Sequence, residues 1–170
     1  ARVLADDDAV AGEERLRENA ERLAAFERLV AMAPAELPPM PASNEPTPRY
    51  IALLRVLDVA LLRARSMPPA EAARSLASYE RFASRFAHGG HTLFTAMIGV
   101  ALESHVLREI ERLHRRSPTL TADDLAPLAT ALDEALALPS PLARSVAGEC
   151  AGMESVLRGF DSSGDWQRLG

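Results

Sequence analysis

Residues 88–116 read HGGHTLFTAMIGVALESHVLREIERLHRR. After the glycine-containing break the chain runs without Pro, and with Gly99 as its sole Gly, for a length that few isolated helices reach. Its first half, Leu93 to Leu102, is apolar nearly all round, and its second half is one-sided through Val106, Leu107, Ile110 and Leu113. A helix apolar on every side has to be enclosed by others, and one that turns amphipathic reaches the surface at that end. The stretch therefore predicts the central long helix of an all-α domain.

The segments on either side fit that frame. Upstream, Tyr50–Arg65 is dense in Ile, Leu and Val, which predicts a second helix buried on most sides. Pro68 and Pro69 open a third helix running to about Ala87, since proline is favoured at a first helical position. Leu76, Tyr79, Phe82 and Phe86 form an apolar stripe on it, with Arg74, Arg81 and Arg85 alongside. Downstream, Ser117-Pro118 stops the central helix. Thr121 and Asp124 form a capping pair for a fifth helix from Ala122 to about Leu138, with Leu125, Leu128, Leu132 and Leu136 as its apolar set. Ser140 and Pro141 open a sixth helix, ending near Phe160, which is expected to bury Leu142, Val146, Cys150, Met153, Val156 and Leu157. No strand signal occurs. Long helices with short connections give antiparallel neighbours, so the fold class is an antiparallel bundle of about five to six helices.

The N-terminal quarter differs in kind. Residues 1–33 read as an acidic amphipathic helix whose thin seam is Leu16, Leu23, Phe26 and Val30, a helix expected to pack loosely or project. Residues 34–48, with six prolines in fifteen positions, read as an extended linker. The bundle proper is 49–160, and 161–170 is a tail. Residues 1–48 hold five Arg against ten Asp and Glu, whereas 49–170 hold fourteen of each, so the net charge of −5 lies wholly in the arm. A neutral body with an acidic arm argues against nucleic acid or an anionic membrane surface as partner. All 19 basic residues are Arg, which excludes Schiff-base chemistry and a P-loop lysine. The lone Cys150 cannot form an internal disulfide, so cysteine usage does not decide the compartment.

Chemistry-bearing residues are sparse. His88 and His91 flank a Gly-Gly turn, yet His105 and His114 lie about 21 and 34 Å further along the same helix, too far for one metal. No metal or cofactor is expected, and His91 or Thr92 is read as the helix cap. Glu111 and His114 have the Glu-x-x-His spacing of di-metal bundles, but only one such motif occurs, so they read as a surface pair. Glu149, among the small residues Ala147, Gly148, Ala151 and Gly152, is expected to be partly buried and to need Arg81, Arg85 or His91 as partner. The candidate polar junction is therefore His88, His91, Arg81, Arg85 and Glu149. No nucleophile elbow, phosphate loop or zinc signature accompanies it, so no catalytic residue is assigned and the chain reads as a non-enzyme.

Residues 73–113, ARSLASYERFASRFAHGGHTLFTAMIGVALESHVLREIERL, carry a resemblance. An Arg- and Leu-rich helix, a short polar turn, the Thr92-Leu93 pair and the Met97-Ile98 step, with a later Gly148-Glu149, resemble uncharacterised, mostly helical bacterial envelope proteins. The resemblance implies an extracytoplasmic helical domain behind an N-terminal membrane anchor. The Pro-rich stretch suits a tether, and an anchor upstream of Ala1 is the expected membrane link. The leading functional expectation is a periplasmic, non-catalytic interaction domain that binds a protein partner as an inhibitor, an immunity-type protein or an accessory envelope component. Its alternative is a bundle holding a small apolar ligand between the second, third and fourth helices. A hydrolase or metalloenzyme around His88, His91 and Glu149 is the third reading.

Overall fold

Capping residues and prolines set the helix boundaries. A computed structural model of the chain describes residues 12–32, 50–89 and 92–163. Its helices are α1 (Ala20–Ala31), preceded by helical residues 12–18 and a turn at Asn19, α2 (Tyr50–Ser66), α3 (Pro69–Gly89), α4 (Leu93–Arg116), α5 (Ala122–Leu136) and α6 (Pro141–Ser163). Pro69 and Pro141 are first helical residues, where a missing N–H costs no intrahelical bond. Thr92 caps α4: its hydroxyl accepts from Thr95 N at 3.2 Å, and Thr95 Oγ1 accepts from Thr92 N at 3.3 Å. Thr121 and Asp124 close the expected box on α5, with Asp124 Oδ2 accepting from Thr121 N at 3.0 Å. The linker 34–48, the residues before 12 and Trp166 lie outside the described residues.

Among the described residues the architecture is all-α, a bundle around one long helix. That helix is α3, not α4. It packs on all five others, and Ala72, Ala73, Leu76, Ala77, Tyr79, Ala83, Phe86 and Ala87 are buried along it. The physical reason is size. Alanine lets neighbouring backbones come close on every side, whereas hydropathy favours the bulkier α4 stretch. The closest approach is at Gly99, where an added Cβ would lie 2.2 Å from the Ala87 Cα. Only a residue without a side chain fits there.

Two further expectations are corrected. α1 does not project: Leu23 and Phe26 are buried, and the Phe26 ring meets Tyr79 at 5.6 Å and Phe82 edge-on at 5.5 Å. The aromatic stripe of α3 supplies the groove that a thin seam needs. An Arg63–Glu27 ion pair ties α1 to α2 beside it. Conversely, α6 does not bury its apolar set. Leu142, Val146 and Met153 are 55%, 48% and 65% exposed, and Cys150 is exposed. The side chains of Val156 and Leu157 lie outside the described residues.

Candidate functional site

The junction expected from sequence is not assembled. Glu149 is exposed, and its Oε1 accepts from the backbone N of Leu93 at 3.1 Å. The carboxylate thus serves the positive end of α4, where orphan N–H groups favour an anion. Arg81 points the other way and donates to Glu134 Oε2 of α5 at 2.7 Å. Arg85 is exposed and lines, with Arg81, Ser84, Glu134 and neighbouring α5 residues, an open cleft of about 340 Å3. His88 is half-buried, its Nδ1 donating to the Ser84 carbonyl at 2.6 Å. His91 lies outside the described residues. Elsewhere, His105 pairs with Asp58 across α2 and α4 at 2.8 Å, and Glu111 pairs with Arg115 rather than His114. Among the described residues, no group of three or more His, Cys, Asp or Glu could hold a metal ion.

The buried carboxylates are ones that sequence reasoning passed over. Glu109 is 1% exposed, and its Oε2 accepts from Arg65 at 2.8 and 2.9 Å and from Arg112 at 3.1 Å. Arg65, Glu109, Arg112, Arg115 and Arg116 line a second open cleft. Arg116 there donates to the carbonyls of Arg65 and Ala64, closing the C-terminal end of α2. These arginines are spent on Glu109, on Glu111 and on a helix end. Glu80, at the α3–α4 contact, is 2% exposed, and its Oε2 has no hydrogen-bond partner among the described residues. Burial, and then the neighbouring Glu103, push its carboxyl up to about 7. Burial also raises Glu103, against the opposing effect of His88 and Ser84. A raised carboxyl in a cleft would suggest a general acid. Glu80 and Glu103 line none of the clefts described here, so a substrate has no route to them there. A helical signal for both buried acids was present. Glu109 falls between Val106 and Leu113 on the inward stripe of α4, and Glu80 lies one turn from Leu76.

The remaining feature is apolar. Leu93, Ala96, Met97, Val100 and Ala101 of α4 face Pro141 and Leu142 of α6 across a groove of about 320 Å3. Leu93, Met97 and Val100 are 40%, 63% and 46% exposed, although the sequence predicts enclosure here. With Leu107 they recur at spacings of four, three and seven, the seam of a helix that meets another helix. Among the described side chains of α6 the buried one is Ser145, whose Oγ donates to the Pro141 carbonyl, while Leu142, Val146 and Met153 face solvent. A Cβ at Gly152 would meet nothing within 4 Å.

Among the described residues the molecule is thus a helical bundle with an apolar groove open between two of its helices. Set against protein-family models, curated proteins and solved structures, the chain shows no match.

Proposed function

We propose that this chain is a non-catalytic helical interaction domain that takes an apolar helix of a protein partner into the groove between α4 and α6. The observation that carries the reading is the seam Leu93, Met97, Val100 and Leu107 lying open beside the outward Leu142, Val146 and Met153. A contiguous exposed apolar patch on a folded domain marks an interaction site. Helix-in-groove recognition uses such spacing, with anchors three, four and seven residues apart. Glu80 supports the same reading, since this raised carboxyl is packed inside the bundle rather than displayed in one of the clefts described above.

We place the domain in the periplasm, as an accessory envelope component tethered by an anchor upstream of Ala1. The resemblance of residues 73–113 to helical envelope proteins and the Pro-rich stretch 34–48 support that placement. No helix among the described residues is long and apolar enough to cross a membrane.

The test is site-specific photo-crosslinking in cells that express the chain. A benzophenone side chain at Met97 is expected to give a discrete protein adduct, and one at Arg115, on the far end of α4, none. Adducts from neither position, or from both alike, contradict the reading.

A further inference from the structure

We infer that the arginine cleft at the C-terminal end of α4 is a binding site for a phosphate monoester, either a free one or the headgroup of a lipid. The cleft lies at the opposite end of α4 from the apolar groove and does not depend on the interaction-domain reading. Three observations carry the inference.

First, positive charge is gathered there in excess. Arg65, Glu109, Arg112, Arg115 and Arg116 line a cleft of about 450 Å3. Counting Glu111, the partner of Arg115, two positive charges remain over. The C-terminal ends of α2 and α4 offset about half a charge each, so about one positive charge has no counterpart among these groups. Residues 49–170 are neutral as a whole, so this is a local concentration of charge. A cleft lined by one sign of charge draws in counter-ions.

Second, a buried carboxylate fixes the geometry. The Glu109 side chain is 2% exposed, and its Oε2 accepts from Nε and Nη2 of Arg65 and from Nη1 of Arg112. Two guanidinium groups from different helices are thus held side by side on one oxygen atom. Glu109 Oε1 is buried with no hydrogen-bond partner among the described residues. A carboxylate buried in that state costs the fold, and an apolar residue of similar volume is often neutral or stabilising in such a place. What Glu109 supplies that an apolar residue lacks is the placement of two arginine forks. Ligand-binding groups held by a buried partner are the arrangement of a preorganised site.

Third, donors remain, and they converge from two helices. Arg112 commits Nη1 to Glu109, and Arg115 commits Nη2 to Glu111. Each guanidinium carries five N–H groups, so most of both forks stay available to a ligand. Arg116, anchored on the carbonyls of Arg65 and Ala64, stands beside them. A planar carboxylate fits one fork. A phosphate offers oxygens in three dimensions to forks arriving from α2 and α4 together. Among the described residues no aromatic side chain lines the cleft, which leaves the phosphate itself as the recognised group.

The experiment is calorimetric titration of the full chain with glycerol 3-phosphate, beside acetate at matched low ionic strength. It is run at about pH 7.5, where a phosphate monoester carries close to two negative charges. Co-sedimentation with phosphatidylcholine vesicles, with and without phosphatidic acid, is the second arm. The variants are Arg112→Gln and Arg115→Gln, both exposed, and Arg55→Gln, an exposed arginine of α2 outside the cleft. Circular dichroism checks that each keeps its helicity. Glycerol 3-phosphate is expected to bind at least tenfold tighter than acetate. Each cleft variant is expected to raise its Kd at least fivefold, and Arg55→Gln less than twofold. That pattern in calorimetry supports the site and assigns a free ester. The same variant pattern on phosphatidic acid vesicles alone supports it and assigns a lipid headgroup. Binding in neither arm overturns the inference. Binding that acetate equals, or that Arg55→Gln weakens as much as the cleft variants do, also overturns it, because the chain then responds to net charge alone.

Discussion

The two sides of α4 differ in a way that runs against residue hydropathy. On its inward side it presents Gly99, Leu102, Val106, Glu109 and Leu113, and these are all buried, with one backbone-to-backbone approach to α3 and one buried carboxylate paired with Arg65 of α2. Toward α6 it presents Leu93, Met97 and Val100, larger apolar groups on average, and leaves them 40% to 63% exposed. Packing follows from fit: small residues let α3 and α4 close on each other, and a Glu is tolerated inside because two arginines reach it. Apolar bulk that the described neighbours only partly cover remains an open surface. The difference separates what holds the domain together from the face that we propose it offers to another chain.

Substitutions on the two sides should therefore separate. Leu102→Ala, at a fully buried position, is expected to cost about 3 kcal/mol in urea or thermal unfolding, the range for a buried leucine that leaves a cavity. Leu142→Ala, 55% exposed, should cost below about 0.5 kcal/mol in the dilute monomer. Equal losses at the two positions would break the comparison.

Arg65→Ala comes next. It strips one partner from a carboxylate that is 2% exposed. Loss of a buried partner costs about 3 kcal/mol or more, but the Arg65 side chain is 43% exposed and Arg112 remains, so about 2 kcal/mol is expected after allowing for solvent screening. Arg115→Ala, whose pair with Glu111 is exposed on both sides, should cost no more than about 0.5 kcal/mol by the same unfolding assay.

Glu80 adds a pH signature to the packed side. Its carboxyl is raised from 4.5 to about 7 in the folded chain. The folded state therefore holds a proton that the unfolded state has lost between those values. The stability this supplies is fully present below about pH 4.5 and lost as pH rises through about 7. Relative to Glu80→Gln, the wild type should lose on the order of 2 kcal/mol between pH 4.5 and 8. A flat difference across that range would show that the Glu80 carboxyl is not held neutral by burial. The smallest expected effect is on the open side: Met97→Ser should leave unfolding within about 0.5 kcal/mol of wild type while weakening association.

How far the sequence could be read follows the same division. Punctuation was legible. Pro69, Pro141, the Thr121–Asp124 box and Thr92 give helix boundaries within a few residues, because caps act through neighbouring groups alone. All-α class followed from that punctuation and the apolar spacing. Burial was less legible, because it depends on which surfaces meet. The alanines of α3 carry little hydropathic weight, yet they make it the enclosed helix. The seam of α1 is short, yet Phe26 finds the Tyr79–Phe82 groove. In α6 the apolar pattern predicts burial of Leu142, Val146, Cys150 and Met153, and all four are exposed. For the polar junction, sequence distance gave no orientation: Arg81 lies on the side of α3 toward α5, and Glu149 reaches Leu93 rather than an arginine.

The central claim is that the α4–α6 face is completed by another protein chain, and amide hydrogen exchange across α4 and α6 tests it most directly. Exchange is measured on the dilute chain, on the concentrated chain and on the chain with any partner captured at Met97. The account predicts slow exchange in α3 under every condition, and protection in residues 93–101 and 141–154 that rises at least tenfold on association. Equal protection of those two segments in the dilute and associated states would contradict it.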